Sequence, residues 1–324
     1  MEIEKFYEEV LQAEKRIGNN IVKTPLEFSP YLSQGSDCQV YLKTENYQLT
    51  GSFKLRGAMN KFLSLSQEEI KRGIVTASSG NHAAAFAYLI KNFNCQGTIF
   101  LPENVSKTKA EALASYEAEL KFYGNDCVIA EMKAKEYAKE NGKTFISPYN
   151  DLQIIGGQGT IGIELEQQLK DIDVVLVPVG GGGLISGISV YLKSINNNIK
   201  IIGCLPKNSA VMYESVKAGK ILEMESKPTV SDGSAGGIEP GSVTFDICRD
   251  LVDDYILLDE EEIKSAIGLI LRKHFMLIEG AGALSTGAFI KEKSKFRNKN
   301  VVLLISGNKL NLSLLKDILS HQSC

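Results

Sequence analysis

The run Val174-Val175-Leu176-Val177-Pro178-Val179-Gly180-Gly181-Gly182-Gly183-Leu184-Ile185-Ser186-Gly187 decides the fold. Its first six residues are apolar and mostly β-branched, and the run is short, as expected of a strand buried on both faces. Four glycines then break the strand, and a small-residue helix follows. Working outward, similar runs recur at Val40 to Lys43, Gly73 to Ala77, Thr98 to Leu101, Lys200 to Leu205 and Asn300 to Ile305. Helical stretches lie between them, at Asn81 to Asn92, Lys107 to Tyr116, Cys127 to Asn141 and Gly159 to Leu169. Strands alternating with helices specify an α/β chain with mostly parallel sheets. No repeat, low-complexity tract or obvious linker interrupts the pattern.

Bulk composition bounds the function. The 324 residues are 44% hydrophobic and 23% charged, with a net charge of −3, which is ordinary globular composition. Such a balance carries no electrostatic footprint for nucleic acid or an anionic membrane. The charge-free span Val174 to Leu192 is long enough to raise the question of a membrane helix. Pro178 and the glycines rule out an unbroken apolar helix there. The acidic, amphipathic start MEIEKFYEEV resembles a first helix rather than a targeting signal. Six scattered cysteines without a C-x-x-C pair suit a reducing cytoplasm, and only three histidines argue against a metal centre.

Four segments are candidates for chemistry. In Thr50-Gly51-Ser52-Phe53-Lys54-Leu55-Arg56-Gly57-Ala58, Gly51 and Ser52 supply a turn and an N-cap for a helix to about Leu65, with Lys54 in its first turn. A cation at that positive helix end is disfavoured by about 0.3–1 kcal/mol when exposed. The same effect, with burial, lowers an amine's pKa and makes it a better nucleophile. A solvated lysine at a helix start is the plainer alternative. In Ser78-Ser79-Gly80-Asn81-His82, free N–H groups and short polar side chains form a nest for a carboxylate, or else merely cap a helix.

The four glycines Gly180 to Gly183 let backbone amides approach a phosphate closely at a helix start. No frame completes G-x-G-x-x-G, and no acidic residue between Val174 and Tyr213 could hold a ribose, so a monophosphate fits better than a dinucleotide. A P-loop would need Lys-Ser/Thr after its last glycine, but Ile188 and Ser189 follow Gly187. Ile305-Ser306-Gly307-Asn308 closes the last strand, where open α/β sheets bind ligands.

In this order, across nearly the whole chain, these segments resemble the threonine/serine dehydratase and serine racemase group of fold-type II pyridoxal-phosphate enzymes. Gly156-Gly157-Gln158-Gly159-Thr160-Ile161 is similar to that group's helix-start signature, Asp232-Gly233 to its Asp-Gly turn, and Glu279-Gly280-Ala281-Gly282-Ala283 to its Glu-Gly-Ala segment. The resemblance implies two open, twisted, mostly parallel sheets flanked by helices. It implies a larger cofactor-binding domain from residues 1–70 and 150–324, with a smaller domain, 71–149, inserted. The implied cofactor is pyridoxal 5'-phosphate (PLP), joined to Lys54 as a Schiff base, with Phe53 against its ring. Asn81 would reach its phenolic oxygen, Gly180, Gly181, Gly182 and Gly183 its phosphate, and Ser306 its ring nitrogen. Gly233 and Glu279 would lie beside the ring. Ser78, Ser79, Asn81 and the amides up to His82 would hold the carboxylate of a small amino-acid substrate.

The implied reaction is that of an ammonia-lyase, converting a β-hydroxy amino acid to a 2-keto acid and ammonia, with Lys54 taking the α-proton. Two alternatives stand beside it: a serine racemase, with Ser79 as the opposite-face acid/base, and a phosphate-ligand binding protein that has lost chemistry. The intact Lys54 argues against the last. A homodimer is also implied. The chain departs from the pattern where serine racemases bind a divalent cation, because the matching positions are Leu205 and Val211, which cannot ligate a hard metal. No metal is therefore expected. Ser306-Gly307-Asn308-Lys309 replaces the usual Ser-Gly-Gly-Asn, which puts the contacts after Ser306 in question. Since the chain stops at Cys324, no C-terminal regulatory domain is expected.

Overall fold

Two sheets carry the chain, built in a computed structural model that describes residues 3–321 apart from 106 and 126. Cys324 lies outside the described residues. The strands are β1 (Leu26–Phe28), β2 (Gln39–Lys43), β3 (Ile74–Ala77), β4 (Gly97–Leu101), β5 (Glu119–Phe122), β6 (Thr144–Phe145), β7 (Val174–Pro178), β8 (Lys200–Pro206), β9 (Asp254–Leu258) and β10 (Asn300–Leu304). One sheet has the order β1-β2-β10-β7-β8-β9 and the other β5-β4-β3-β6. All neighbours run parallel except the edge pair β1 and β2. This is the α/β architecture with two mostly parallel sheets expected of the chain.

Each sheet is buried on both faces by the two-residue alternation of its strands. From β7, Val174 and Leu176 join the layer that includes Ile263, Ile267 and Phe289, while Val175 and Val177 join Ile161, Ile185 and Ile188. In the smaller sheet Val75 and Phe100 meet Ala130, Ala134 and Ala138 of the Cys127–Glu140 helix. Ile74 and Ile99 face Phe86, and also Leu55 and Met59 of the Lys54–Leu63 helix and Ala13 and Ile17 of the Ile3–Ile17 helix.

Two sequence expectations are corrected. The Gly156 to Ile161 signature does not start a helix. The helix starts at Leu152, capped by Asp151, whose carboxylate accepts from Gln153 N at 2.8 Å and Ile154 N at 3.1 Å. The glycines allow backbones to touch instead. A Cβ at Gly157 would lie 2.6 Å from Arg56 O, and one at Gly187 2.3 Å from Ile155 O. Ser52 is not an N-cap either. It bridges to Gly307, its hydroxyl is buried without a partner, and Phe53 takes the cap position with no side-chain capping bond.

The helix that carries Lys54 is locked from behind by buried charge. Arg56, fully buried, donates to Glu45 Oε1 at 2.7 Å and to Glu164 Oε1 at 2.7 Å. Lys43 Nζ, also fully buried, lies 2.5 Å from Glu164 Oε2 and donates to Thr24 O at 2.8 Å. Two cations and two carboxylates thus tie β2, the Lys54–Leu63 helix and the Leu152–Gln168 helix together.

Candidate active site

The candidate residues meet where strands of both sheets end, the usual ligand position in open α/β sheets. β3 runs into Ser78 to Asn81, β7 into the four glycines, and β10 into Ser306. Lys54 opens its helix at the positive dipole end, and its enclosed amine donates to Pro148 O at 2.7 Å. Burial pushes that amine down to about 8, against the opposing pull of Glu279 and Glu131. Phe53 lies beneath it, with the amine 5.3 Å from the ring centre.

Gly180 to Gly183 form a cradle that side chains would fill. A Cβ at Gly180 would lie 2.8 Å from Ser234 O, and one at Gly181 2.6 Å from the Tyr149 ring. Gly182 has φ +87°, which disfavours other residues, and a Cβ there would reach Met212 Cε at 2.7 Å. The Gly183–Ile195 helix starts here, so its free N–H groups and dipole favour an anion. Tyr149 links cradle and amine, because its ring lies on Gly181 while the preceding Pro148 carbonyl receives Lys54.

On the other side, residues distant in sequence converge. Asn81 Nδ2 donates to Glu279 Oε1 at 2.7 Å, while Asn81 Oδ1 is buried with no partner among the described residues. Glu279 Oε2 accepts from Lys309 N at 3.1 Å, and burial raises this carboxyl above its usual range, reinforced by Asp232. Gly233 and Gly307 pack against Glu279, since a Cβ at Gly233 would sit 3.4 Å from Oε1 and one at Gly307 2.6 Å. Ser306 is buried and its hydroxyl has no partner among the described residues.

The questioned segment after Ser306 is anchored by Asn308. Its side chain donates to Asn46 O at 2.8 Å, and its N–H donates to Gly51 O at 3.0 Å. Ser78 and Ser79 are partly exposed at the cleft end of β3, and the Ser79 hydroxyl has no partner among the described residues. His82 is buried behind them. Burial and the neighbouring Lys54 push its imidazole down to about 3, and a ring nitrogen lies 3.2 Å from Ile146 O. The ring is therefore neutral at pH 7, and only the backbone of His82 lies at the helix start. Leu205 and Val211 are buried apolar residues in the sheet core. Sequence reasoning missed Tyr149, Pro148 and Glu131. Pro148 and Tyr149 lie in a bend, which carries no periodic signal, Glu131 lies within the Cys127–Glu140 helix, and only long-range packing relates them to Lys54.

Comparison with known proteins accords with this constellation. The pyridoxal-phosphate dependent enzyme family matches residues 17–307. L-threonine ammonia-lyase of Thermotoga maritima is 39% identical over 313 residues, spanning 97% of this chain and 78% of that relative. The catabolic L-threonine dehydratase TdcB of Escherichia coli K12 is 37% identical over 313 residues, 96% of this chain and 95% of its own length. Among solved structures, processed threonine deaminase isoform 2 of Solanum lycopersicum superposes with a TM-score of 0.91 at 33% identity, covering 98% of this chain and 93% of its own. Maize serine racemase gives 0.90 at 32% identity, with 97% of each chain covered.

The chain belongs to the pyridoxal-phosphate dependent enzyme family and is a PLP-dependent lyase. The residues present fit the cofactor. An enclosed amine of lowered pKa suits its aldehyde, a glycine cradle at a helix start suits its phosphate, and the orphaned Ser306 hydroxyl suits a ring nitrogen.

Proposed function

We propose that the protein is an L-threonine/L-serine ammonia-lyase that releases a 2-keto acid and ammonia. The observation that carries this reading is the enclosed Lys54 amine beside the Gly180 to Gly183 cradle, in a chain 37–40% identical to relatives named for threonine ammonia-lyase or dehydratase activity. When bound, PLP supplies an electron sink for carbanion chemistry at the amino-acid α-carbon. In this reading Lys54 would anchor the cofactor and, as a free amine, take the substrate's α-proton. Ser78, Ser79, Asn81 and the N–H groups to His82 orient the substrate carboxylate. Phe53, Gly233 and Glu279 would border the ring, Asn81 would donate from its Nδ2 to the phenolic oxygen, and the glycines would hold the phosphate. Ser306 faces the ring nitrogen. A hydroxyl there, unlike a carboxylate, would not hold a proton on that nitrogen, and this would favour elimination over racemisation.

The racemase reading rests on Ser79, whose unpartnered hydroxyl is the candidate for protonating the face opposite Lys54. A serine hydroxyl has a high pKa and needs a supporting environment to act as acid or base, so elimination should outrun racemisation. Incubation with L-serine and L-threonine, with keto acid and D-amino acid measured together, decides it. Keto acid is expected in excess, and Ser79→Ala is expected to remove D-serine while retaining some keto acid. Faster formation of D-serine than of pyruvate would reverse the assignment.

Lys54 also makes a pH prediction. A neutral amine would be the nucleophile, and burial pushes the pKa of Lys54 down to about 8. The rate of PLP uptake by the apoprotein should rise about tenfold per pH unit below that value and flatten above it. A rate still climbing at that slope to pH 10 would show an unperturbed lysine.

The same reading extends to organisation. A smaller unit, residues 71–149, would carry the four-stranded sheet, and residues 1–70 with 150–324 the six-stranded one. A homodimer is supported by exposed apolar side chains on neighbouring elements, including Phe28, Tyr31 and Phe275, the last 89% exposed. A cytoplasmic setting is supported by Cys38, Cys95, Cys204 and Cys248, all free thiols. No described helix is long and apolar enough to cross a membrane.

A further inference from the structure

We propose that Glu239 is a positioning residue that pins together the two walls of the phosphate cradle; this rests on the PLP reading above. One wall is Tyr149, whose ring lies on Gly181 and whose backbone lies on Gly183. The other is the loop through Ser234 and Thr244, with Ser234 O against Gly180 and Thr244 Oγ1 donating to Gly181 O at 2.6 Å. The two walls belong to segments almost ninety residues apart, and Glu239 joins them. Its N–H donates to Tyr149 Oη at 2.9 Å, and its Oε1 accepts from Asn150 Nδ2 at 2.7 Å. Asn150 Oδ1 in turn accepts from Val243 N at 3.0 Å, just before Thr244. The second carboxylate oxygen, Oε2, accepts from Lys135 on the Cys127–Glu140 helix, and Lys135 also lies 2.9 Å from Glu131. Both oxygens of Glu239 therefore hold a different segment.

The loop needs such a pin. Gly236 and Gly241 have φ of +131° and +73°, and a Cβ at Gly236, Gly237 or Gly241 would meet nothing within 4 Å. The glycines themselves add no packing, so between the buried Ile238 and the Gly236 N bond to Ser209 Oγ on one side and the buried Thr244 on the other, the Glu239 links are what join the loop to Tyr149 and Asn150. Lys135 and Glu239 have side chains 39% and 25% exposed, and an ion pair this open adds little to global stability. Its effect is local: two charge-assisted hydrogen bonds define the width of a cradle whose amides must converge on one phosphate.

The test compares PLP with pyridoxal, which lacks the phosphate, as ligands of the apoprotein, with Kd read from the visible absorption. Glu239→Ala is expected to weaken PLP about tenfold and leave pyridoxal unchanged, with the urea midpoint of the apoprotein unmoved. Lys135→Ala is expected to act in the same direction by a smaller factor, because Asn150 and Tyr149 still hold the loop. An unchanged PLP Kd in Glu239→Ala, or an equal loss for PLP and pyridoxal, overturns the pin and leaves the cofactor reading standing. A parent apoprotein that takes up no PLP overturns both.

Discussion

Lys54→Ala is expected to abolish the visible absorption band of the PLP-loaded protein and to lower turnover of L-threonine by about 10³-fold or more. The size follows from the two roles one amine carries. In the proposed reading it would anchor the cofactor and then take the α-proton, and no second described amine is hydrogen-bonded to the Pro148 carbonyl beside the cradle. The Pro148 oxygen, which now receives Lys54 at 2.7 Å, would lose its donor, and Phe53 would lose the cation 5.3 Å from its ring. Neither loss threatens the fold, because the helix is held by Arg56 behind it. The variant should therefore fold normally and still bind PLP through the glycine cradle. Absorption spectra and single-turnover assays on the same preparation check this. Turnover at the parent rate would remove Lys54 from the chemistry.

Glu164→Ala is expected to destabilise the apoprotein by about 3–5 kcal/mol, measured by urea unfolding. Glu164 takes hydrogen bonds from Arg56 Nη1 at 2.7 Å and Nη2 at 3.0 Å, and from Lys43 Nζ at 2.5 Å. Without it, two fully buried cations share the single carboxylate of Glu45. Arginine cannot shed its proton, so Lys43 is the group that yields. Burial already lowers its pKa, and losing Glu164 lowers it further. The sign of the pH dependence follows. In the variant the unfolded chain binds a proton at Lys43 that the folded chain excludes, so stability rises with pH and the deficit narrows toward pH 10. A loss below about 1 kcal/mol, or a deficit independent of pH, would show that the charges are screened by water.

The strands that were legible are those buried on both faces. β2, β3, β4, β7, β8 and β10 all carry mostly apolar, largely buried runs, and the sequence places each to within a residue or two. It does not place β1, β5, β6 or β9. β6 is two residues long, and β5 has the half-polar sequence Glu119-Leu120-Lys121-Phe122 of a sheet edge. A strand that buries one neighbour and one face lacks the continuous signal. The Leu152–Gln168 helix was placed too late for a related reason, since its glycines look like punctuation until a partner helix is seen lying on them.

For the site, the sequence by itself determined which chemistry was available. An amine at a helix start, a run of glycines after a buried strand and a Ser-Asn loop are local patterns, and backbone geometry gives each a limited set of uses. Tertiary structure alone decided which side chains share the cleft. Asn81 meets Glu279 across 198 residues of chain, Gly233 and Gly307 close on the same carboxylate, and Tyr149 lies between the Lys54 amine and the cradle. It also decided that the Lys54 amine is enclosed, which sets its pKa, and that Glu239 reaches Tyr149, Asn150 and Lys135. Hydrogen bonding and desolvation depend on distances of a few ångströms between segments far apart in the chain, and local residue order does not encode them.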